Sequence, residues 1–175
     1  MAAAKHTLVA LVEDKPGVLN RVASLFRRRG FNISSIAVGH SEAPNISRMT
    51  IVVDGKTTSV EQVRKQLEKV IDVVRVTEIS NDDMISRELA LVKVKTTPIT
   101  RSEVMQIVDI FRANIVDVGI EAVTIEVTGD DEKISSLLTL LEGYGIKELA
   151  RTGRIAMTRR GASPSKETTR ARTGK

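Results

Sequence analysis

Residues 6–33 read HTLVALVEDKPGVLNRVASLFRRRGFNI, and three changes of pattern within them decide the fold. Residues 6–13 are apolar and β-branched, which predicts a strand. Asp14-Lys15-Pro16-Gly17 then reads as a tight turn, with a glycine that lets the backbone come close to whatever lies beside it. From Val18 the period changes. Val18, Val22, Leu25 and Phe26 recur at helical spacing, while Arg21, Arg27 and Arg28 fall off that stripe. Gly30 is a natural helix terminator.

Downstream, Asn32–Gly39 and Arg48–Asp54 are strand-like and are separated by the loop His40–Ser47, which contains Pro44 and Asn45. Ser59 is placed to cap a second helix carrying Val60, Val63, Leu67 and Val70 on one face. Val73–Ile79 returns as a strand. The order β-α-β-β-α-β then repeats. Glu88–Lys95 is a strand, and Thr100 with Glu103 has the form of a capping box opening a helix to about Ala113. Ile115–Gly119 and Ala122–Val127 follow as strands. Gly129 and Asp130 open a helix whose Ile134, Leu137, Leu138 and Leu141 face the core; Gly143 and Gly145 end it. Ile146–Arg151 and Arg154–Thr158 supply the last strand material.

This order predicts an α+β chain of two ferredoxin-like βαββαβ domains, 6–80 and 81–160, joined near Asn81-Asp82-Asp83. Each is ~70 residues, near the lower limit for a self-sufficient core. The sheet face away from the helices carries alternate apolar residues, so a second copy is expected to cover it, edge to edge or face to face.

Of the 175 residues, 41% are hydrophobic and 28% charged, the balance of a globular protein. No apolar run approaches the ~20 residues of a membrane span. The chain has no cysteine and two histidines, His6 and His40, which removes disulfides and thiolate chemistry and argues against a multi-histidine metal site. The net charge of +5 invites a nucleic-acid reading, but residues 159–175 carry six basic residues against Glu167. With 27 basic and 22 acidic residues in all, positions 1–158 hold 21 of each and are neutral. The tail 161–175, rich in Ser, Thr, Gly and Pro, is expected to be a disordered basic appendage. Strand-like alternation from His6 leaves no space for a signal or transit peptide, which predicts a cytoplasmic protein.

No GxSxG, HExxH, Walker A loop or GxGxxG is present, and no catalytic or metal constellation is expected. Asp130-Asp131-Glu132 reads as an acidic helix start and Arg27-Arg28-Arg29 as a basic helix end, both favoured by the macrodipole. The strand-to-helix turn is the informative place. The first N–H groups of its helix lack intrahelical partners and suit a carboxylate. Asp14 and Asn32, at the ends of neighbouring strands, are placed to hold an ammonium group and a carboxylate or amide. Val18, Leu19 and Ile33 would give an aliphatic wall. These describe a site for a free amino acid with an apolar side chain; an ordinary strand-to-helix turn is the alternative on the residues alone.

Residues 6–80 resemble an ACT domain, an amino-acid-sensing module, through the turn Glu13-Asp14-Lys15-Pro16-Gly17-Val18-Leu19. PGVLNRVASLFRRRGFNISSIAVG with SRMTIVV, and RELALVKV, DIFRANIVDVG and ELARTGRIAMTR in the second half, are similar to the regulatory small subunits of acetolactate synthase. The resemblance covers about 5–160. It implies a chain without catalysis or cofactor of its own, since thiamine diphosphate, magnesium and FAD belong to the large catalytic subunit. It further implies a homodimer formed through the ACT domains, activation of that large subunit, and feedback inhibition by valine in branched-chain amino-acid biosynthesis. The effector residues implied are Asp14, Pro16, Gly17, Val18, Leu19, Asn32 and Ile33, with aspartate at 14 where some members have asparagine. An ACT sensor governing a different enzyme is the alternative. An RNA-recognition module shares the strand order but needs stacking aromatics that HTLVALV and RMTIVV lack.

Overall fold

Apolar residues at every second position of a strand, and at every third or fourth of a helix, can be buried together only by laying the helices on one sheet face. The computed structural model, which describes residues 5–55, 59–79, 84–159 and 168–169, does this twice. The elements are β1 (Lys5–Glu13), α1 (Val18–Arg29), β2 (Ile33–His40), β3 (Ile46–Asp54), α2 (Val60–Leu67) and β4 (Val73–Ile79). Then come β5 (Met84–Lys95), α3 (Arg101–Ile110), β6 (Asn114–Val118), β7 (Ala122–Gly129), α4 (Asp131–Glu142) and β8 (Ile146–Arg151). The short strands β9 (Ile155–Thr158) and β10 (Thr168–Thr169) complete the series. The expected α+β class and the two βαββαβ cycles are present.

The first sheet has the order β10-β4-β1-β3-β2, antiparallel at each pairing. β1 is paired on both sides, to β3 from Lys5↔Asp54 to Glu13↔Ile46 and to β4 from Thr7↔Ile79. Leu8, Ala10 and Val12 of β1 meet Met49, Ile51 and Val53 of β3 beneath Val18, Val22, Leu25 and Phe26 of α1 and Val63 and Leu67 of α2. Phe26 and Phe31 touch edge to face, with centroids 5.9 Å apart. α1 ends as expected at Gly30, left-handed at φ 66°, with Arg27, Arg28 and Arg29 in its last turn.

The second sheet has the order β6-β7-β5-β8, again antiparallel. Its core is Ala90, Val92 and Val94 of β5 and Val123, Ile125 and Val127 of β7, packed under Val104, Val108, Ile134, Leu137 and Leu141. Arg151 holds edge strand β8 by a bidentate pair to the buried Glu88, both bonds 2.7 Å, and reaches Asp131 at 3.1 Å.

Four expectations are corrected. The two units divide as Met1–Ile85 with Arg154–Lys175, and Ser86–Gly153, not as 6–80 and 81–160. The reason lies on the face of the first sheet away from the helices. There Val9 and Ile79 are buried with Met84 and Ala156, so the returning segment at 154–159 belongs to the first unit. Arg154 donates to Ser35 Oγ (3.4 Å) and Thr7 Oγ1 (3.2 Å), and Arg48 to the Ala156 carbonyl (3.0 Å). The chain therefore covers part of this face itself, where a second copy was expected to do so. On the second sheet the corresponding face is mostly polar: Lys93, Thr124, Glu126 and Glu148 align across β7, β5 and β8 around Leu91 and Ala150. Third, Ser59 makes no side-chain cap. Fourth, Thr100 does not cap through Glu103: Thr97 and Thr100 accept each other's backbone N–H through their hydroxyls, at 2.9 and 3.1 Å. In the tail, Thr168 and Thr169 pair with Val76 and Arg75 of β4, partners that its composition did not predict; the rest of 161–175 lies outside the described residues, as do Asn81-Asp82-Asp83.

Ending the chain at Gly153 should uncover Val9 and Ile79 while leaving the second core intact. Amide exchange should accelerate in β1 and β4 but not in β7; equal protection in both sheets of the shortened and full chains would show that the returning segment has no stabilising role.

Candidate functional site

β1 runs out at Glu13, and three backbone contacts shape the turn beyond it. The Glu13 N–H donates to the Asp72 carbonyl (2.9 Å), the Asp14 N–H to Asn45 (2.8 Å), and the Arg21 N–H to Gly17, closing the first helical turn at 3.0 Å. Gly17, at φ 86° and ψ −8°, enters α1 in the left-handed region. A β-carbon there would meet no atom within 4 Å, so glycine is required by backbone conformation and not by crowding. The start of α1 has no side-chain cap and no acid in its first turn. α4 differs: Asp130 accepts from the Lys133 N–H at 2.9 Å, and Asp131 and Glu132 follow. Among the described residues no side chain caps the amides opening α1, a place whose partial positive charge suits an anion.

The predicted residues divide into three sets. Asp14, Pro16, Gly17 and Leu19 lie together and exposed around the turn, with the Asp14 carboxylate 3.1 Å from His40 Nδ1. Val18 is corrected: it is 3% exposed and belongs to the core beneath α1, so it gives no wall to a ligand. Asn32 and Ile33 are corrected in position. Ile33 pairs with Val53 and His40 with Ser47, so β2 begins at the sheet end opposite to Asp14. Eight steps of ~3.3 Å from Asn32 to His40 put Asn32 roughly 25 Å from the turn within one chain. Asn32 is exposed, and Ile33 is half-buried against the first core.

One charged residue behind the turn escaped the sequence reading. Asp72, between α2 and β4, has a fully buried carboxylate that pairs with Lys15 Nζ at 2.8 Å and with the Arg21 guanidinium. Lys15 also reaches Glu13 Oε2 at 2.6 Å. Hydrogen bonding from Lys15, and then from Arg21, outweighs burial and holds the Asp72 pKa below its ordinary 3.8. Its carboxylate partners hold the Lys15 ammonium above its ordinary 10.5, Asp72 first and then Glu13. An aspartate in a turn is an everyday residue, and its partners are 57 and 51 positions away, so no local spacing signals it; the one hint is its place between Ile71 and Val73. Among the described residues no cluster of three or more His, Asp or Glu is arranged to hold a metal, and no helix is long and apolar enough to cross a membrane.

Two ferredoxin-like units, the first with a glycine-entered and uncapped helix, define a two-domain chain of the ACT class. Residues 8–75 match the family described as the AHAS small subunit-like ACT domain, and 87–160 match the small subunit of acetolactate synthase. The probable acetolactate synthase small subunit of Archaeoglobus fulgidus is 55% identical over 155 residues, covering 89% of this chain and 97% of that one. The acetolactate synthase small subunit of Mycolicibacterium smegmatis is 53% identical over 154 residues, 88% of this chain and 91% of the other. The crystal structure of the acetolactate synthase small subunit from Thermotoga maritima superposes with a TM-score of 0.83 at 44% identity, covering 91% of this chain and 99% of that one. The chain belongs to the acetolactate synthase small subunit family.

The buried carboxylate gives a signed prediction. Because the folded pKa of Asp72 is lowered, its contribution is complete above the unfolded value of 3.8 and is lost as pH falls through the folded value. The stability difference between wild type and Asp72→Asn should be constant above about pH 5 and shrink below about pH 4, read from denaturant melts at fixed salt. A difference that widens toward acid would contradict the assignment. Gly17→Ala, forcing a β-carbon into the left-handed region, should cost about 1 kcal/mol in the same measurement.

Proposed function

We propose that this chain is the non-catalytic regulatory subunit of an acetolactate synthase. On this reading it binds the large thiamine-diphosphate-dependent subunit, raises its turnover and makes it sensitive to valine, the feedback signal of branched-chain amino-acid synthesis. Thiamine diphosphate, magnesium and FAD belong to that large subunit. The observation that carries the proposal is the free helix start after Gly17, in a chain whose two halves both match the family. A valine carboxylate fits those amides, Asp14 offers an acceptor for the ammonium group, and the half-exposed Leu19 offers apolar contact.

The distance between Asn32 and Gly17 bears on the oligomer. Among the described residues β2 is the last strand of its sheet, with no strand paired to its outer edge. Two copies paired β2 to β2, antiparallel about a twofold axis, would set the start of one β2 beside the end of the other. Asn32 and Ile33 of one copy would then lie near His40 of the other, and His40 is 3.1 Å from Asp14. A homodimer of this kind supplies the complete residue set twice; a single chain does not. The alternative of an ACT sensor for some other enzyme leaves the match of the second half unexplained.

The test uses the purified chain and a matching large subunit. Alone, with pyruvate, thiamine diphosphate and magnesium, the chain should form no acetolactate; mixed with the large subunit it should raise turnover and confer inhibition by valine. Pyruvate condensation by the chain alone, or an unaltered large subunit, would overturn the proposal. Gly17→Asp, which sets an anion against the helix start, should abolish valine sensitivity while activation persists. Asn32→Ala should weaken valine by roughly 10- to 100-fold, the cost of a hydrogen bond to a charged partner. Unchanged valine inhibition in both variants would move the site elsewhere.

A further inference from the structure

We infer that Asp72 is the positioning residue of the effector turn, holding the entry to α1 in the shape that receives the ligand. This rests on the proposed valine site. The turn lies between two cations, Lys15 two residues before Gly17 and Arg21 four after it, and both pair with the one carboxylate. The same residue accepts the Glu13 N–H through its backbone carbonyl at 2.9 Å. Asp72 therefore fixes the start of the turn through its backbone and both flanks through its side chain. The Lys15 and Arg21 side chains are about half exposed while the carboxylate is fully buried. The cations have water as an alternative and the carboxylate does not, so the buried partner sets the geometry. The chain between the two cations contains Pro16, fixed in φ, and Gly17, the most permissive residue. Without the clamp, the freedom of Gly17 lets the first amides of α1 turn away from a common point. Asp72 does not touch the proposed ligand position; it acts through Lys15 and Arg21.

The experiment is calorimetric titration of the full chain with valine, with amide exchange measured in its absence. Asp72→Asn keeps the side-chain shape and the backbone carbonyl but loses the charge. It should weaken valine by about tenfold or more, the worth of a charged hydrogen bond or ion pair. Lys15→Met should also weaken valine, whereas Lys15→Arg, which keeps the cation, should stay within about twofold of wild type. The double variant Lys15→Met with Asp72→Asn should be no weaker than Asp72→Asn alone, because both remove one interaction. Exchange of the Glu13 and Asp14 amides should quicken in Asp72→Asn while β3 stays protected. If Asp72→Asn fails to fold, Lys15→Met and Arg21→Met decide, and unaltered valine affinity in both overturns the inference. Valine binding by wild type that Asp72→Asn matches within about twofold overturns the positioning role alone. Absence of valine binding by wild type overturns the effector reading and this inference with it.

Discussion

β1 has neighbours in every direction, and most of the first unit is a consequence of that enclosure. Its backbone is paired to β3 on one side and β4 on the other. Its residues are buried on both faces as well: Leu8, Ala10 and Val12 under the helices, Thr7 and Val9 on the reverse. A strand enclosed on both faces needs two covering layers, and α1 and α2 can supply only one. The second layer comes from Met84 and the returning residues around Ala156, which is why 154–159 pack with the first unit although the whole of the second lies between them in sequence. The same constraint fixes the site. Leaving the central strand for the helix layer takes a sharp reversal directly at the strand end, and the left-handed Gly17 makes it.

Periodicity carried most of the architecture. The eight long strands and four helices fall where period-2 and period-3.6 patterns placed them, because those patterns are consequences of one-sided burial, which this fold imposes on nearly every element. What was illegible shares a cause: each case depends on a partner distant in sequence. Arg154–Thr158 read as a strand, but not as one belonging to the first unit, because alternation tells which faces are apolar and not which sheet they join. Val18 read as a ligand wall from its place after Gly17, although its place on the stripe with Val22 and Leu25 already assigned it to the core. Asn32 read as a neighbour of Asp14 because both stand at strand ends. Only the register of β2 on β3 shows which end. The Thr100–Glu103 capping box lost to Thr97, one turn earlier, whose hydroxyl takes the Thr100 N–H that Glu103 would have accepted.

The two units share an element order and use it differently. In the second, the turn before the first helix is closed by the Thr97–Thr100 pair, and Asp130 caps the second helix, whose first turn also carries Asp131 and Glu132. Its open sheet face is polar and crossed by the Lys93–Glu148 ion pair at 3.1 Å. In the first, the α1 start is left open, and a buried ionic cluster stands directly behind it. The stability that Asp72 contributes does not by itself account for a buried ion pair here, since such a pair is often no better than apolar packing. The pair makes sense as a device for specifying one shape where glycine allows many.

On the proposed reading, a site built from the Gly17 turn of one copy and Asn32 of another links ligand binding to self-association. A ligand that completes its contacts only in the dimer must stabilise the dimer, and by reciprocity dimerisation must strengthen the ligand by the same factor. Such a ligand also reaches a large subunit without touching it, because what changes on binding is the β2 edge and the turns beside it, which both copies share. The clamp at Asp72 then has a further consequence. A turn held rigid in each copy loses little freedom when valine arrives, so more of the contact energy goes into joining the two sheets and less into ordering a loop.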